Sequence, residues 1–417
     1  MAKICIVTTR HISYNPRVLK EADTLSAAGH AVVVVTINNS DRQAAFDEEL
    51  MRRRKWVLRT VNFRKERKAE RRTWLYLSLK QRLFLFGSAL GFGGGVAERA
   101  AEKAFDPLSA LASGEKADLY IAHHAEALGI ASHAAGRNKV RFAFDAEDFH
   151  TGMNESATVS IQDKLVEYLE RKYLPRAVYI TAASRGIGDA YRKKYGVSQP
   201  GTILNVFPFE ELRVADPAGP VRFYWYSQVI GPNRGIELLL DAASRIGPPS
   251  SRTGQPFEIH LRGSLYSDEY RDQLKAKYEG TGVWAKVHLH EPILAERLIS
   301  DANQFDVGLA LESDISVNRN ICVTNKVFSY LMSRLVIIGT DTEGQKEIFA
   351  QFPRASRICP MDNPDALAAA MEYYIIHKDR LLEGKKAADA AVRDTFRWEP
   401  ESKKLLKYIE EALCRRS

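Results

Sequence analysis

The sequence lacks most of the features that announce an enzyme class. Its four cysteines, Cys5, Cys322, Cys359 and Cys414, are dispersed through 417 residues with no CxxC spacing. Neither a disulfide framework nor a cysteine zinc site therefore organises the chain. The longest apolar run, Leu83 to Ala97, is too short and too rich in glycine to span a bilayer. The N-terminus, MAKICIVTT, reads as the start of a strand and not as a signal peptide. Both absences lead us to expect a cytoplasmic protein. Phosphate loops are missing as well. The first strand runs into TTRHISYNPR without GxGxxG, and GxxxxGK[ST], GxSxG and HExxH occur nowhere. That argues against NAD enzymes, P-loop NTPases, elbow-type serine hydrolases and zincins.

What is present is an uneven charge. The net +8 is concentrated between Arg52 and Arg72, where eleven Lys or Arg and two Glu sum to +9, leaving −1 for the rest. Next comes TWLYLSLKQRLFLF, in which Leu75, Leu79, Leu83 and Phe86 share one helical face. Two readings of this segment stay open. It is either a solvated, basic surface loop or, across residues 52–86, a contact for an anionic membrane surface, worth about 1 kcal/mol per basic residue near the lipid. Nucleic acid is not expected, because no helix-turn-helix, zinc-finger or RNA-recognition signature accompanies the charge.

Short apolar runs alternate with helical patterns in both halves. Ile4–Thr8, Ala31–Thr36, Leu119–Ala122, Arg141–Asp145 and Val178–Ala182 read as buried strands, as do Arg222–Tyr226, Phe257–Leu261, Val287–Leu289, Val307–Leu311 and Leu335–Gly339. The first helix has its punctuation in place: Asn15 as N-cap, Pro16 in the first turn, Gly29 as the stop. With 45% hydrophobic residues, the chain suits two α/β domains with doubly wound parallel sheets. Proline-rich residues 208–219 read as the linker, between an N-terminal domain at 1–207 and a second at 220–397. Two such domains facing each other would leave a ligand cleft at the carboxyl ends of their strands.

The unit from Asp306 to Asp341 reads as strand, helix and strand, with Thr324 as N-cap and Asn325 and Lys326 in the first helical turn. A lysine there faces the positive end of the helix dipole. A bound phosphate would remove the conflict, and a solvated surface lysine is the plain alternative. In the second half, Gly231-Pro232 forms a turn before a helix opening at Arg234-Gly235. Gly235 permits close approach, and Arg234 can clamp a phosphate or simply be exposed. In the first half, Asp145, Glu147, Asp148 and His150 follow one strand, and His123, His124 and Glu126 follow another. Such groups suit recognition of sugar hydroxyls or base catalysis. They show no recognised metal-ligand spacing.

Asn15-Pro16-Arg17, DAEDF at Asp145, LNVFP at Asn205, GPNRGIELLLDA at Gly231 and NKVFSYL at Asn325 together resemble the GT-B glycosyltransferases, near the family 4 group. The resemblance covers nearly the whole chain. It implies two Rossmann-like domains, the first completed by a crossing helix at 398–417. It also implies a UDP- or GDP-linked nucleotide-sugar donor on the second domain, a glycan or lipid-linked acceptor on the first, and transfer with retention without a required metal or other cofactor. By position, Arg234 and Lys326 would bind the donor diphosphate, and Glu147 or His150 would orient a sugar. Gly231, Gly235, Asn318, Asn325 and Ser329 would line the donor site. The chain departs from the family where it has Ser329 for a glutamate, Arg334 for a glycine, Glu147 for a histidine and Gln228 for a small or basic residue. The function expected is sugar transfer to an envelope polysaccharide or lipid-linked precursor, by a protein peripheral to the inner face of the cell membrane. A GT-B domain that only binds is the alternative.

Overall fold

The computed structural model describes residues 1–88, 91–156, 158–246 and 256–414. Ala89 and Leu90 of the apolar run, and residues 415–417 of the C-terminal segment, lie outside these. The chain divides into two compact units. The first holds Met1–Leu204, Ser316–Asn318 and Ser402–Ser417; the second holds Asn205–Ile315 and Arg319–Glu401.

The first unit is built on a seven-stranded sheet. Its strands are β1 (Lys3–Val7), β2 (Ala31–Asn38), β3 (Val57–Asn62), β4 (Leu119–His123), β5 (Arg141–Ala146), β6 (Ile180–Ala182) and β7 (Gly201–Thr202), in the order β3-β2-β1-β4-β5-β6-β7. Every pairing is parallel. The central strands are apolar because helices cover both faces; Ile4, Ile6, Val34, Ile121 and Phe144 are fully or almost fully buried. Asn15 caps the helix Pro16–Ala27 by accepting from the Val18 N–H, as its position in the sequence suggests.

The second unit has six parallel strands: β8 (Val221–Ile230), β9 (Phe257–Leu265), β10 (Val287–His290), β11 (Val307–Ala310), β12 (Val336–Thr340) and β13 (Ser356–Cys359). Their order is β10-β9-β8-β11-β12-β13. Its core joins Phe223, Trp225, Leu239, Leu261, Leu309 and Ile338. In each sheet the strand order reverses once, between β1 and β4 and between β8 and β11. At such a reversal the two connections leave in opposite directions and open a crevice beyond the carboxyl ends of the strands, which is where ligands bind in this architecture.

Three strands escape the periodicity argument, and all lie at or near sheet edges. The strand β3 alternates exposed and half-buried residues, β7 has two residues and β13 four. The basic segment is therefore ordered: it contains β3 and leads into the helix Lys68–Gly87. Arg54, Arg59, Arg64 and Arg67 pair with Asp23, Glu115, Glu70 and Asp41. On the helix, Leu77 is buried, whereas Leu75, Tyr76, Leu79, Leu83 and Phe86 are exposed, Phe86 to 78%.

Candidate functional site

Each unit carries candidate residues at its own strand-order reversal. In the first, the turn after β1 brings Asn15 and Arg17, the end of β4 brings His123 and His124, and the end of β5 brings Asp145 and Glu147. Arg17 is fully buried and bidentate on Asp145, with Nε to Oδ1 at 2.8 Å and Nη2 to Oδ2 at 2.9 Å. Its Nη1 donates to the Ile203 carbonyl at 2.7 Å, and Thr181 donates to Asp145 at 3.1 Å. Beside this pair, His123 lies between two carboxylates, 2.9 Å from Glu21 and 3.0 Å from Glu147. Burial alone would disfavour its charge. The pull of Glu21 and the hydrogen bond to Glu147 more than offset it and raise the imidazole to about 10. Burial likewise works against the Glu147 charge, but His123 and its other cationic neighbours hold that carboxyl well below the usual range.

Glu147 is only partly buried, and its Oε1 also accepts from the Asn15 carboxamide at 2.6 Å. It is thus an ionised carboxylate with one oxygen fixed from behind. His124 has a positive φ of 70° and contacts Asn15 at 3.2 Å. Burial pushes its imidazole down to about 4, so it is neutral. Glu21, His123 and Asp145 lie close enough together to suggest a metal. However, Arg17 engages both Asp145 oxygens and both His123 nitrogens already face carboxylates, so the group is a charge network with a resident cation.

His150 lies deeper than its place in the sequence suggests. It is 9% exposed, with Nδ1 at 3.0 Å from the Tyr191 hydroxyl, which donates to Glu170 at 2.6 Å. Burial opposes its charge, yet Glu170 raises its pKa. Its Nε2 is buried without a partner, and its ring meets that of His124 edge-on at 5.9 Å. Asn318 groups with this unit, accepting from the Phe149 N–H and donating to Asp148, each at 2.8 Å.

At the reversal of the second sheet, β8 ends in a bulge between Tyr226 and Val229, followed by the turn carrying Gly231, Arg234 and Gly235. Arg234 is exposed, and its Nη1 donates to the Ser227 hydroxyl at 2.9 Å. Gly235 has φ +79°, and a Cβ there would stand 2.7 Å from Leu311 Cβ. The close approach it permits is therefore to the chain following β11. Gly231 is buried against Tyr266.

On the neighbouring turn the awkward lysine meets an anion of the protein's own. Lys326 Nζ lies 2.8 Å from Glu312, which also accepts from Thr324 at 3.2 Å and pairs with Arg319 at 3.3 Å. Burial would raise Glu312, but these cations hold it below the usual carboxylate range. Thr324 occupies the N-cap position of the helix Asn325–Met332 without a capping hydrogen bond, since its hydroxyl is directed to Glu312. Sequence reading missed Glu312; a buried strand that runs straight into an acid was the available signal. Asn325 is exposed and accepts from Asn205 at 2.9 Å.

Ser329 is fully buried, 2.8 Å from the Tyr226 hydroxyl and 3.0 Å from the Lys326 carbonyl, so its hydroxyl points into the interior. Arg334 has φ +61°, the left-handed position just past a helix that glycine fills most easily. Its buried guanidinium is held by Asp389 at 2.7 Å, the Glu210 carbonyl at 2.8 Å and the Met332 carbonyl.

Residues 14–204 match the glycosyl transferase 4-like domain family. A glycosyltransferase from Rickettsia africae superposes with a TM-score of 0.67 at 12% identity, covering 100% of this chain and 99% of that one. Anabaena HepE, solved with UDP and glucose, gives 0.68 at 12% identity, covering 99% of this chain and 100% of its own. The fold is that of the GT-B glycosyltransferases. Sucrose-phosphate synthase from Thermosynechococcus elongatus shares this GT-B fold, with a TM-score of 0.68, 13% identity and full coverage of both chains. No curated protein matches the chain in sequence. The stretch that matches the glycosyl transferase 4-like model carries the buried charge network, and the Arg234 and Lys326 turns belong to the other sheet.

Proposed function

We propose that the protein transfers a sugar, with retention at the anomeric carbon, from a UDP- or GDP-linked donor to a lipid-linked or polysaccharide precursor. The observation that carries this reading is the pair of adjacent turns after β8 and β11, which present Arg234 and Lys326 at the reversal of the second sheet. Arg234 is an exposed cation there. A diphosphate would draw it from Ser227 and share Lys326 with Glu312. Cations at that place stabilise the charge that grows on a departing diphosphate, where electrostatic help lowers the barrier most. In the first unit, the fixed Glu147 carboxylate suits an acceptor or sugar hydroxyl. Structures of Anabaena HepE hold UDP and UDP-glucose, which favours a nucleotide-sugar donor. No cofactor is needed for this chemistry.

The acceptor side draws on the helix Lys68–Gly87. Its exposed apolar stripe lies beside Arg71 and Arg72, a pattern suited to the surface of an anionic membrane. No helix among the described residues is long and apolar enough to cross a membrane, so attachment would be peripheral, on the inner face.

The test has two parts. Calorimetry across a panel of UDP-, GDP- and other nucleotide sugars should find one donor that binds, and NMR of the product should show transfer with the anomeric configuration kept. Binding without transfer to any lipid-linked or glycan acceptor would favour the alternative, a GT-B protein that only binds. Co-sedimentation should show more protein on anionic than on neutral vesicles. Equal binding to both, unchanged by Arg71→Ser with Arg72→Ser, would overturn the membrane contact.

A further inference from the structure

On the far side of the second sheet from β13, three histidines and a glutamate gather on two neighbouring strands. The parallel register sets His288 of the edge strand β10 directly against His260 of β9. Alternation along each strand puts Glu258 on the face of His260, and His290 on the face of His288. The rings of His260 and His288 stack at 4.7 Å, and His260 Nδ1 is 2.9 Å from His290 Nε2. His260 Nε2 is 3.2 Å from Glu258 Oε2.

We propose that Glu258, His260 and His288 form a site for a divalent transition metal of the zinc class, which ties the edge strand β10 to β9. One ligand atom from each of the three lies within 4.8 Å of the others. Ligand atoms around a metal at ~2.0–2.1 Å stand closer together than that, so the side chains would close inward on binding. The chemistry of the donors fits: two imidazoles and a carboxylate are the mixed nitrogen and oxygen set that zinc accepts. His290 supplies the outer hydrogen bond. When His260 Nδ1–H donates to His290, the His260 Nε2 lone pair is left facing Glu258, and a cation between them resolves the repulsion.

The surroundings agree. His260 is buried and its ring packs 4.7 Å from Phe305, which keeps water from one side. His288 is exposed and makes no hydrogen bond or ion pair among the described residues, leaving a nitrogen free to turn inward. The site is structural and independent of the proposed sugar transfer.

The experiment uses the untagged full chain, stripped with EDTA and titrated with Zn2+ by calorimetry, with Co2+ absorption reporting ligand type. One equivalent should bind with micromolar affinity or better and raise the Tm. Combining Glu258→Gln with His288→Ala should leave the metal-free Tm in place and abolish that equivalent. His290→Ala should weaken it by about 10- to 100-fold. Absence of binding to the native chain, or an equivalent retained at native affinity in the double variant, would overturn the proposal.

Discussion

The two sheet reversals solve the same placement problem with opposite economies of charge. At the first, Arg17, Asp145, Glu21, His123 and Glu147 form a buried network in which most donors and acceptors already have partners. At the second, charge is sparse: Lys326 is tied to Glu312, and Arg234 stands exposed with one hydroxyl contact. A network of the first kind fixes geometry before any ligand arrives. The second kind leaves a cation to be recruited. The contrast suits a protein whose first sheet positions a neutral sugar hydroxyl and whose second meets a mobile, highly charged diphosphate.

The sharpest way to break the comparison is to attack the first network at its centre. Arg17→Ala removes the bidentate partner of the buried Asp145, and we expect a loss of about 3–5 kcal/mol in denaturant unfolding. A loss below about 1 kcal/mol would mean that the network is not the rigid element described. The next effect concerns the backbone. Arg334→Ala keeps the positive φ and removes three hydrogen bonds, which should cost about 2–3 kcal/mol. Arg334→Gly relieves the backbone and should be about 1 kcal/mol more stable than the alanine variant in the same assay.

A smaller effect follows from His123. Its folded value of about 10 lies above its ordinary 6.5. The folded state therefore holds a proton that the unfolded chain releases as pH rises. The stabilisation is complete below about pH 6.5 and disappears as pH climbs through 10. The Tm should accordingly fall between those limits, and fall less steeply in His123→Gln. Equal slopes would place the charge elsewhere. Least of all should stability respond to Arg234→Ala, whose unfolding free energy should stay within about 0.5 kcal/mol of the native chain because the residue is exposed and almost unpaired.

The central strands were legible in the sequence because burial on both faces writes a continuous apolar run, as in Ile4–Val7 or Val336–Thr340. The edge strands β3 and β13 were not, since they need be apolar on one face at most, and Arg59 and Arg357 interrupt them. Among site residues, the position of Lys326 on a helix start could be read directly. That its counter-charge is Glu312 could not, because the two are brought together by the return of the chain and not by helical spacing. The setting of Ser329 was hidden for a related reason: a substitution pattern locates a residue on a helix, but only packing against Tyr226 decides that its hydroxyl points inward. His288 and His290 form an HxH pair visible in the sequence, yet it means little until β9 brings His260 and Glu258 alongside.

The account rests on the second reversal being a diphosphate site with Arg234 as its recruited cation. Calorimetric titration of the native chain and of Arg234→Ala, each with the donor selected from the nucleotide-sugar panel, tests this most directly. The account predicts affinity at least tenfold weaker in the variant at an unchanged Tm. Equal affinity in the two proteins would contradict it.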